Sequence, residues 1–230
     1  MSFPKFIAIE GLDGAGKSTQ IELLIKFFEQ HNCKTKFIHF PRSGVGVYGE
    51  LIAKFLRGEF GNVGDVHPQL VALLFARDRI DFAPQMLQWI DDGYYVLVDR
   101  YVLSNIAYQC AKLKDETEKN ILRDWILNYE FQLYKIPQPE LSIYLDVPFT
   151  FTQTSLSSKR TGNERDYLQG KEDIHESDFS FQASVKKEYD IITQSYPNIA
   201  SITCYDDENK MLSVEEIHTQ IIERIRRIDF

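Results

Sequence analysis

The residues best equipped for chemistry stand near the start of the chain. Gly11-Leu12-Asp13-Gly14-Ala15-Gly16-Lys17-Ser18 fits the spacing G-x-x-x-x-G-K-[ST]. Glycines let backbone N–H groups wrap a polyphosphate, and the helix that follows adds the partial positive charge of its N-terminus. A lysine at this place reaches the β- and γ-phosphates, and a serine after it can ligate Mg²⁺. The string predicts a nucleoside triphosphate cradle made of Gly11, Asp13, Gly14, Ala15, Gly16, Lys17, Ser18 and Thr19. It does not choose among kinase, GTPase and ATPase. The guanine-reading string N-K-x-D is absent: the nearest text, Glu208-Asn209-Lys210-Met211-Leu212, has Leu where Asp is needed.

Other reactive residues gather at the ends of apolar runs. Asp99 closes one such run and suits a carboxylate near Mg²⁺, directly or through water. Arg100 beside it suggests a phosphate held close to the metal, although the two could equally be a structural ion pair. Arg42 follows Phe40-Pro41 at the end of another run. Phe75 and Arg79 are spaced i, i+4 and share a helix face. Stacking from the ring and hydrogen bonds from the guanidinium suit a flat base. Phe75 taken alone would serve as well in a core.

Positioning these groups requires strands that alternate with helices. Phe6-Ile7-Ala8-Ile9, Lys36 to Phe40, Tyr94 to Val98, Leu141 to Leu145 and Ser201 to Tyr205 read as five short buried strands. Ile21, Leu24, Ile25 and Phe28 give the first helix an apolar face. Pro68 predicts the start of a helix running to about Asp81, and Pro84 the start of a shorter one ending before Gly93. Ser213 with Glu216 is a capping box, and Ile217, Ile221, Ile225 and Ile228 form the inward stripe of a last helix. Arg224, Arg226 and Arg227 are read as its solvated face. The expected fold is α/β: a five-stranded parallel sheet flanked by helices on both faces, one domain over residues 1–230. In such a sheet ligands bind beyond the carboxyl ends of the strands, so the motifs above converge. From about 157 to 178 the chain turns polar and poor in aliphatics, which reads as a surface loop or as a mobile lid.

Composition narrows the function. The 230 residues carry a net charge of −8, which argues against a general nucleic-acid or membrane-surface binder. No apolar run approaches the roughly 18 residues of a membrane span. The segment before the first strand leaves no room for a secretory signal. Cys33, Cys110 and Cys204 fit neither a disulfide framework nor a zinc site, so a cytoplasmic setting is expected. The five histidines are scattered and read as packing or surface residues.

With these residues on the page, the chain resembles the thymidylate kinases, P-loop enzymes that phosphorylate dTMP to dTDP with ATP. The resemblance rests on the glycine loop with its Asp13, on Phe40-Pro41-Arg42, and on Leu73-Leu74-Phe75-Ala76-Arg77-Asp78-Arg79. It extends through Asp99-Arg100-Tyr101 with Ser104, Asn105, Ala107, Tyr108 and Gln109 to an arginine-bearing lid. The resemblance implies that Phe40, Arg42 and Arg100 line the dTMP phosphate site, with the two arginines holding the phosphate. Phe75 would stack on thymine and Arg79 would donate to a thymine carbonyl. Asn105, with Ser104, would take the base edge, and Tyr108 would occupy the space of a ribose 2′-OH. Asp13 would lie near the sugar 3′-OH or the metal shell. Lid arginines Arg160 and Arg165, with Lys159 behind them, would approach the ATP phosphates. The family also implies Mg²⁺ and a homodimer.

Such an acceptor needs no strong base. A phosphomonoester has a second pKa of about 6 and is already largely dianionic at neutral pH. Catalysis would then rest on aligning and neutralising two anions, through Lys17, Asp99-bound metal, Arg42, Arg100 and a lid arginine. Two alternatives remain: a deoxynucleoside or other nucleoside monophosphate kinase, with Glu10 or Asp99 as a base for a hydroxyl acceptor, and a non-enzymatic nucleotide-dependent binding module.

Overall fold

Alternation along the strands decides which side of the sheet each residue serves. In β1 (Phe6–Glu10) Phe6 and Ala8 enter one core and Ile7 and Ile9 the other, and all five residues are buried. A strand hidden on both faces belongs in the middle of a parallel sheet. The structure, a computed structural model, describes residues 3–157, 167–171, 173–176, 178–196 and 198–227. It has β1 at the centre of five parallel strands in the order β2-β3-β1-β4-β5. The others are β2 (Thr35–His39), β3 (Tyr95–Asp99), β4 (Leu141–Asp146) and β5 (Ile199–Thr203). Ile9 lies opposite Asp99, so the glycine loop and the Asp99-Arg100 pair leave the sheet side by side.

Helices cover both faces. On one side α3 (Pro68–Asp91), α4 (Val102–Cys110), α5 (Glu116–Leu127) and α7 (Phe179–Ser195) supply Ala72, Ile106, Ile126 and Val185 to the core. On the other, α1 (Lys17–Gln30) and α8 (Val214–Arg226) supply Leu24, Phe28, Ile217, Ile221 and Ile225. The capping box of α8 is present: Glu216 N donates to Ser213 Oγ at 3.2 Å, and Ser213 N donates to Glu216 at 2.8 Å. Arg224, Arg226 and Arg227 are exposed, as expected, and Ile228 lies outside the described residues. Two further helices are α2 (Gly46–Leu56), against α3, and α6 (Phe149–Ser157).

The expected break at Pro84 does not occur. α3 runs through it as one helix, although a proline there lacks the N–H for the preceding turn and costs about 3 kcal/mol. Ala83 and Met86 are buried in the same core as Ala72, and that continuous packing offsets the lost bond. Strand ends also shift by one or two residues. β5 begins at Ile199, because its pairing with Ser142 to Asp146 of β4, not its own apolar run, sets its limits. Among the described residues no helix is long and apolar enough to cross a membrane.

Candidate active site

The glycine loop leaves β1 at the centre of the sheet and ends at Gly16, the N-cap of α1, whose φ of 84° is a left-handed conformation that a side chain would strain. Lys17 folds back over the loop, its Nζ donating to Leu12 O at 3.0 Å and lying 3.9 Å from Asp99 Oδ1. Burial and the like charge of Arg100 hold this ammonium below its ordinary range, against the opposing pull of Asp99. Ser18 and Thr19 are exposed on the first turn of α1. All three line a cavity of about 850 Å³ whose walls also include Phe40, Arg42, Phe75, Arg79, Asp99, Arg100, Asn105 and Tyr108. Residues from seven separate stretches of chain thus meet in one cleft.

Asp99 fits a divalent cation. Burial alone would raise its pKa, but Lys17, His39 and Arg100 bring the carboxyl below the usual range, so it is ionised. Its Oδ1 is buried without a hydrogen-bond partner among the described residues. An unpartnered carboxylate oxygen and a serine hydroxyl lining the same cavity are hard, oxygen-only donors. No cluster of three His, Cys, Asp or Glu that could cage an ion exists among the described residues. The two oxygen donors suit Mg²⁺, which typically takes one or two protein oxygens and completes its shell with phosphates and water.

Each arginine of the cleft carries its own carboxylate. Arg100 has φ 63°, an uncommon backbone for a side chain of this size. That turn sends its guanidinium back to the glycine loop, where Nη2 donates to Asp13 Oδ1 at 2.6 Å. Tyr108 Oη donates to the other oxygen of Asp13 at 2.6 Å, and Gln182 donates to the same atom at 3.2 Å. Arg42 donates from Nε to Asp78 at 2.9 Å and from Nη2 to Asp81 at 3.0 Å, with its backbone N also on Asp78. Gly49 lets α2 pack directly on this turn: a Cβ there would stand 2.2 Å from Arg42 O. Arg79, 2% exposed, forms a two-pronged pair with the fully buried Glu130 at 2.6 and 2.7 Å. Burial opposes the charge of Arg79, and Glu130 more than restores it.

Asn105 donates from Nδ2 to Ala72 O at 3.0 Å and to Glu130 at 3.2 Å, which leaves its buried Oδ1 as an unpartnered acceptor among the described residues. Ser104 differs from the expectation that paired it with Asn105 at a base edge. Its hydroxyl donates to Glu10 at 2.5 Å and receives Arg100 Nη1 at 3.1 Å. One residue along a helix turns a side chain by about 100°, enough to separate the two tasks. Glu10, offered by the sequence as a possible base, is fully buried beneath Ser104, Tyr189 and the Tyr101 N–H, and burial raises its pKa. Arg160, Arg165 and Lys159 lie outside the described residues, as do 158–166, 172 and 177 of the expected lid.

The described remainder of that segment is docked rather than extended. Ile174 N donates to Leu56 O at 3.0 Å, and Tyr167 Oη donates to Asp173 at 2.8 Å. Asp173, buried and near Asp13 and Glu176, is pushed up to about 7, with Tyr167 and the His175 N–H opposing. A carboxyl raised on docking favours the docked state at low pH, and that advantage falls from about pH 4 until it is lost near pH 7. Hydrogen exchange at Ile174 N–H should therefore be slower, relative to the intrinsic rate, at pH 5 than at pH 8. Asp173→Asn should remove the difference; a pH dependence that survives in the variant would clear Asp173 of it.

Several site residues were invisible to spacing. Glu130 sits in a short π-helical segment, Asn128–Leu133, and Tyr189 and Gln182 on α7. His39 reaches Asp99 at 3.4 Å, and His175 packs its ring 5.2 Å from that of Tyr108, so two of the scattered histidines line the cleft. The signal for His39 was available, since it is the last residue of β2 at the ligand edge.

Comparison with known proteins gives a consistent family. The family model for thymidylate kinase matches residues 9–221. Thymidylate kinase of Plasmodium falciparum is 29% identical over 97% of this chain and 90% of its own length. A probable thymidylate kinase of Thermococcus kodakarensis is 28% identical over 97% and 98%. The solved structure of thymidylate kinase from Candida albicans superposes with a TM-score of 0.72 at 28% identity, covering 98% of this chain and 93% of that one. The matched span takes in the glycine loop and the arginine-lined cleft, and the chain belongs to the thymidylate kinase family.

Proposed function

We propose that this protein transfers the γ-phosphoryl group of ATP to the phosphate of dTMP, giving dTDP and ADP. The single observation that carries this is the continuous cavity joining Lys17 and Ser18 of the glycine loop to Phe75, Arg79 and Asn105. A donor triphosphate on the loop and an acceptor nucleotide at the far end would share it. A phosphate oxygen of dTMP forms the new P–O bond as the bond to the β–γ bridging oxygen breaks. Lys17 neutralises the donor, and Arg42 and Arg100 neutralise the acceptor, each aimed by a carboxylate that fixes one edge of its guanidinium. Mg²⁺, held through Ser18 and Asp99, supplies further charge neutralisation when bound. The segment around 157–178 acts as a lid that excludes water, with Arg160 and Arg165 closing on the ATP phosphates.

At the base end the polarity matches thymine. Nη1 of Arg79 makes none of its bonds to Glu130 and can donate to O4. Asn105 Oδ1 can only accept, because its amide nitrogen is committed to two acceptors, and thymine N3–H is a donor. Cytosine inverts both groups. Phe75, half-buried, offers its ring for stacking. Tyr108 stands where a 2′-OH would project, so Tyr108→Ala should narrow the preference for dTMP over its ribose analogue by about tenfold, and an unchanged ratio would refute the exclusion role.

A kinase acting on a hydroxyl would need a carboxylate within reach; both oxygens of Glu10 are occupied inside the core, Asp99 is the carboxylate given to the metal, and the extra arginines suit an acceptor phosphate better than a hydroxyl. ADP release measured with dTMP, with thymidine and with no acceptor tests the proposal. Release should depend on dTMP, whereas dependence on thymidine would support a nucleoside kinase and no release in any of the three a nucleotide-dependent binding module. Free thiols at Cys33, Cys110 and Cys204 favour a cytoplasmic setting, and family resemblance favours a homodimer.

A further inference from the structure

Arg100 is aimed by more than its ion pair with Asp13. A residue of its size adopts a φ of 63° only where the surroundings impose it. The ladder bond from Arg100 N to Ile9 O, at 2.9 Å, fixes the strand end but not the turn that follows. That turn is held by Glu10, the last residue of β1, fully buried at the root of the glycine loop. Its Oε1 accepts from Tyr101 N at 2.9 Å, immediately after the left-handed residue. Its Oε2 accepts from Ser104 Oγ at 2.5 Å, and that hydroxyl accepts in turn from Arg100 Nη1 at 3.1 Å. Tyr189 Oη closes the group, 3.0 Å from Oε2 and 2.7 Å from Ser104 Oγ. One carboxyl group thus ties down the backbone beside Arg100 and, through Ser104, its guanidinium.

The two acids that grip Arg100 differ in kind. Asp13 lines the cavity with its side chain 20% exposed, so an arriving ligand can compete for its oxygens. Glu10 is out of reach of any ligand and is rooted in the strand that carries the loop. Transfer needs the donor on that loop and the acceptor on Arg100 to stand in line, and a misplacement of about 1 Å costs about 10²-fold in rate. A fixed link between strand and arginine sets that distance. Such a link needs reach rather than charge. Burial penalises the Glu10 carboxylate and raises its pKa, so the site does not favour the anion. Glutamine spans the same distance: its carbonyl can accept from Tyr101 N while its NH₂ donates to Ser104 Oγ, whose proton turns to Tyr189 Oη. Aspartate keeps the charge and is one methylene short.

We propose that Glu10 is a positioning residue for phosphoryl transfer, registering Arg100, and with it the acceptor phosphate, against the glycine loop. This role rests on the proposed transfer to dTMP, so the native protein is measured alongside. Single-turnover transfer from ATP to dTMP is compared for the native protein, Glu10→Asp and Glu10→Gln, with ADP and dTMP affinities taken from separate titrations. Glu10→Asp should slow transfer by about 30-fold or more while each ligand alone binds within about threefold of native. Glu10→Gln should transfer within about threefold of the native rate. A rate that falls without the affinities is a split that mere support of the fold would not give. Native transfer in Glu10→Asp, or a loss in Glu10→Gln as great as in Glu10→Asp, would overturn the inference. So would a loss of either affinity in Glu10→Asp as large as its loss of rate. If Glu10→Asp does not fold, Ser104→Ala decides, because it cuts only the arm to the guanidinium: transfer slowed by about tenfold supports the role, and a native rate overturns it. No transfer to dTMP by the native protein would instead defeat the proposed function.

Discussion

Lys17→Met is expected to lower ATP-to-dTMP transfer by about 10³-fold or more while leaving the melting temperature within a few degrees of the native protein. Methionine keeps the unbranched stem that packs over the glycine loop, so the change removes charge rather than volume. Two consequences follow from the surroundings of Nζ. Leu12 O loses its donor at 3.0 Å, and Asp99 loses the ammonium 3.9 Å from its Oδ1. Neither loss should unfold the loop, because the backbone that wraps the phosphates is fixed by its glycines and by α1. What disappears is the only lysine ammonium among the described residues that line the cavity. Burial and Arg100 disfavour that ammonium, so the added negative charge of a triphosphate should stabilise it. The effect should fall on kcat and on ATP binding together, read by single-turnover transfer and by nucleotide titration. Turnover near the native level would remove the lysine from the chemistry.

How much of this site could be read from the chain depends on where each group finds its partner. The glycine loop was legible because its working parts, backbone N–H groups, a lysine and a serine, are contiguous and their spacing is the mechanism. Asp99 and Arg100 were legible because a strand end in a parallel sheet faces the ligand edge. Arg42 and Arg79 were legible as cations, but not as clamped ones. Their carboxylates, Asp78 and Glu130, stand 36 and 51 residues away and meet them only in the folded chain. No periodicity marks Glu130, which is presented by a π-helical turn rather than by a regular face. Ser104 lines the same cavity as Asn105, but its bonds to Glu10 and Arg100 were not legible, because adjacency in sequence is not adjacency on a helix. Pro84 misled because the cost of a proline is local and the packing that offsets it is not. The chain's excess of acid also takes on a meaning that composition could not give. Asp13, Asp78 and Glu130 do not merely balance the cleft's arginines; each fixes one edge of a guanidinium.

The pair of Arg79 and Glu130 puts that idea to its hardest test. Glu130→Gln removes a charge that is wholly buried and leaves the Arg79 guanidinium, 2% exposed, without a counter-ion. Breaking a buried pair on one side typically costs about 3–5 kcal/mol, and denaturant melts should show a loss of that size. If stability were the whole role of the pair, replacing both members with apolar residues would repair everything, since such replacements are often neutral or stabilising. Arg79→Met with Glu130→Leu should accordingly recover most of the lost stability, yet leave kcat/KM for dTMP depressed by at least about 100-fold. Discrimination separates the roles further. Glu130 also accepts from Asn105 Nδ2 at 3.2 Å, and a glutamine in its place can donate instead. Asn105 could then turn its amide and offer NH₂ to the base, so Glu130→Gln should raise dCMP turnover relative to dTMP, whereas Arg79→Lys should lower dTMP turnover without that gain for dCMP. A native dTMP-to-dCMP ratio in Glu130→Gln would mean that Asn105 is oriented by Ala72 O alone, and that the carboxylate serves the arginine and nothing else.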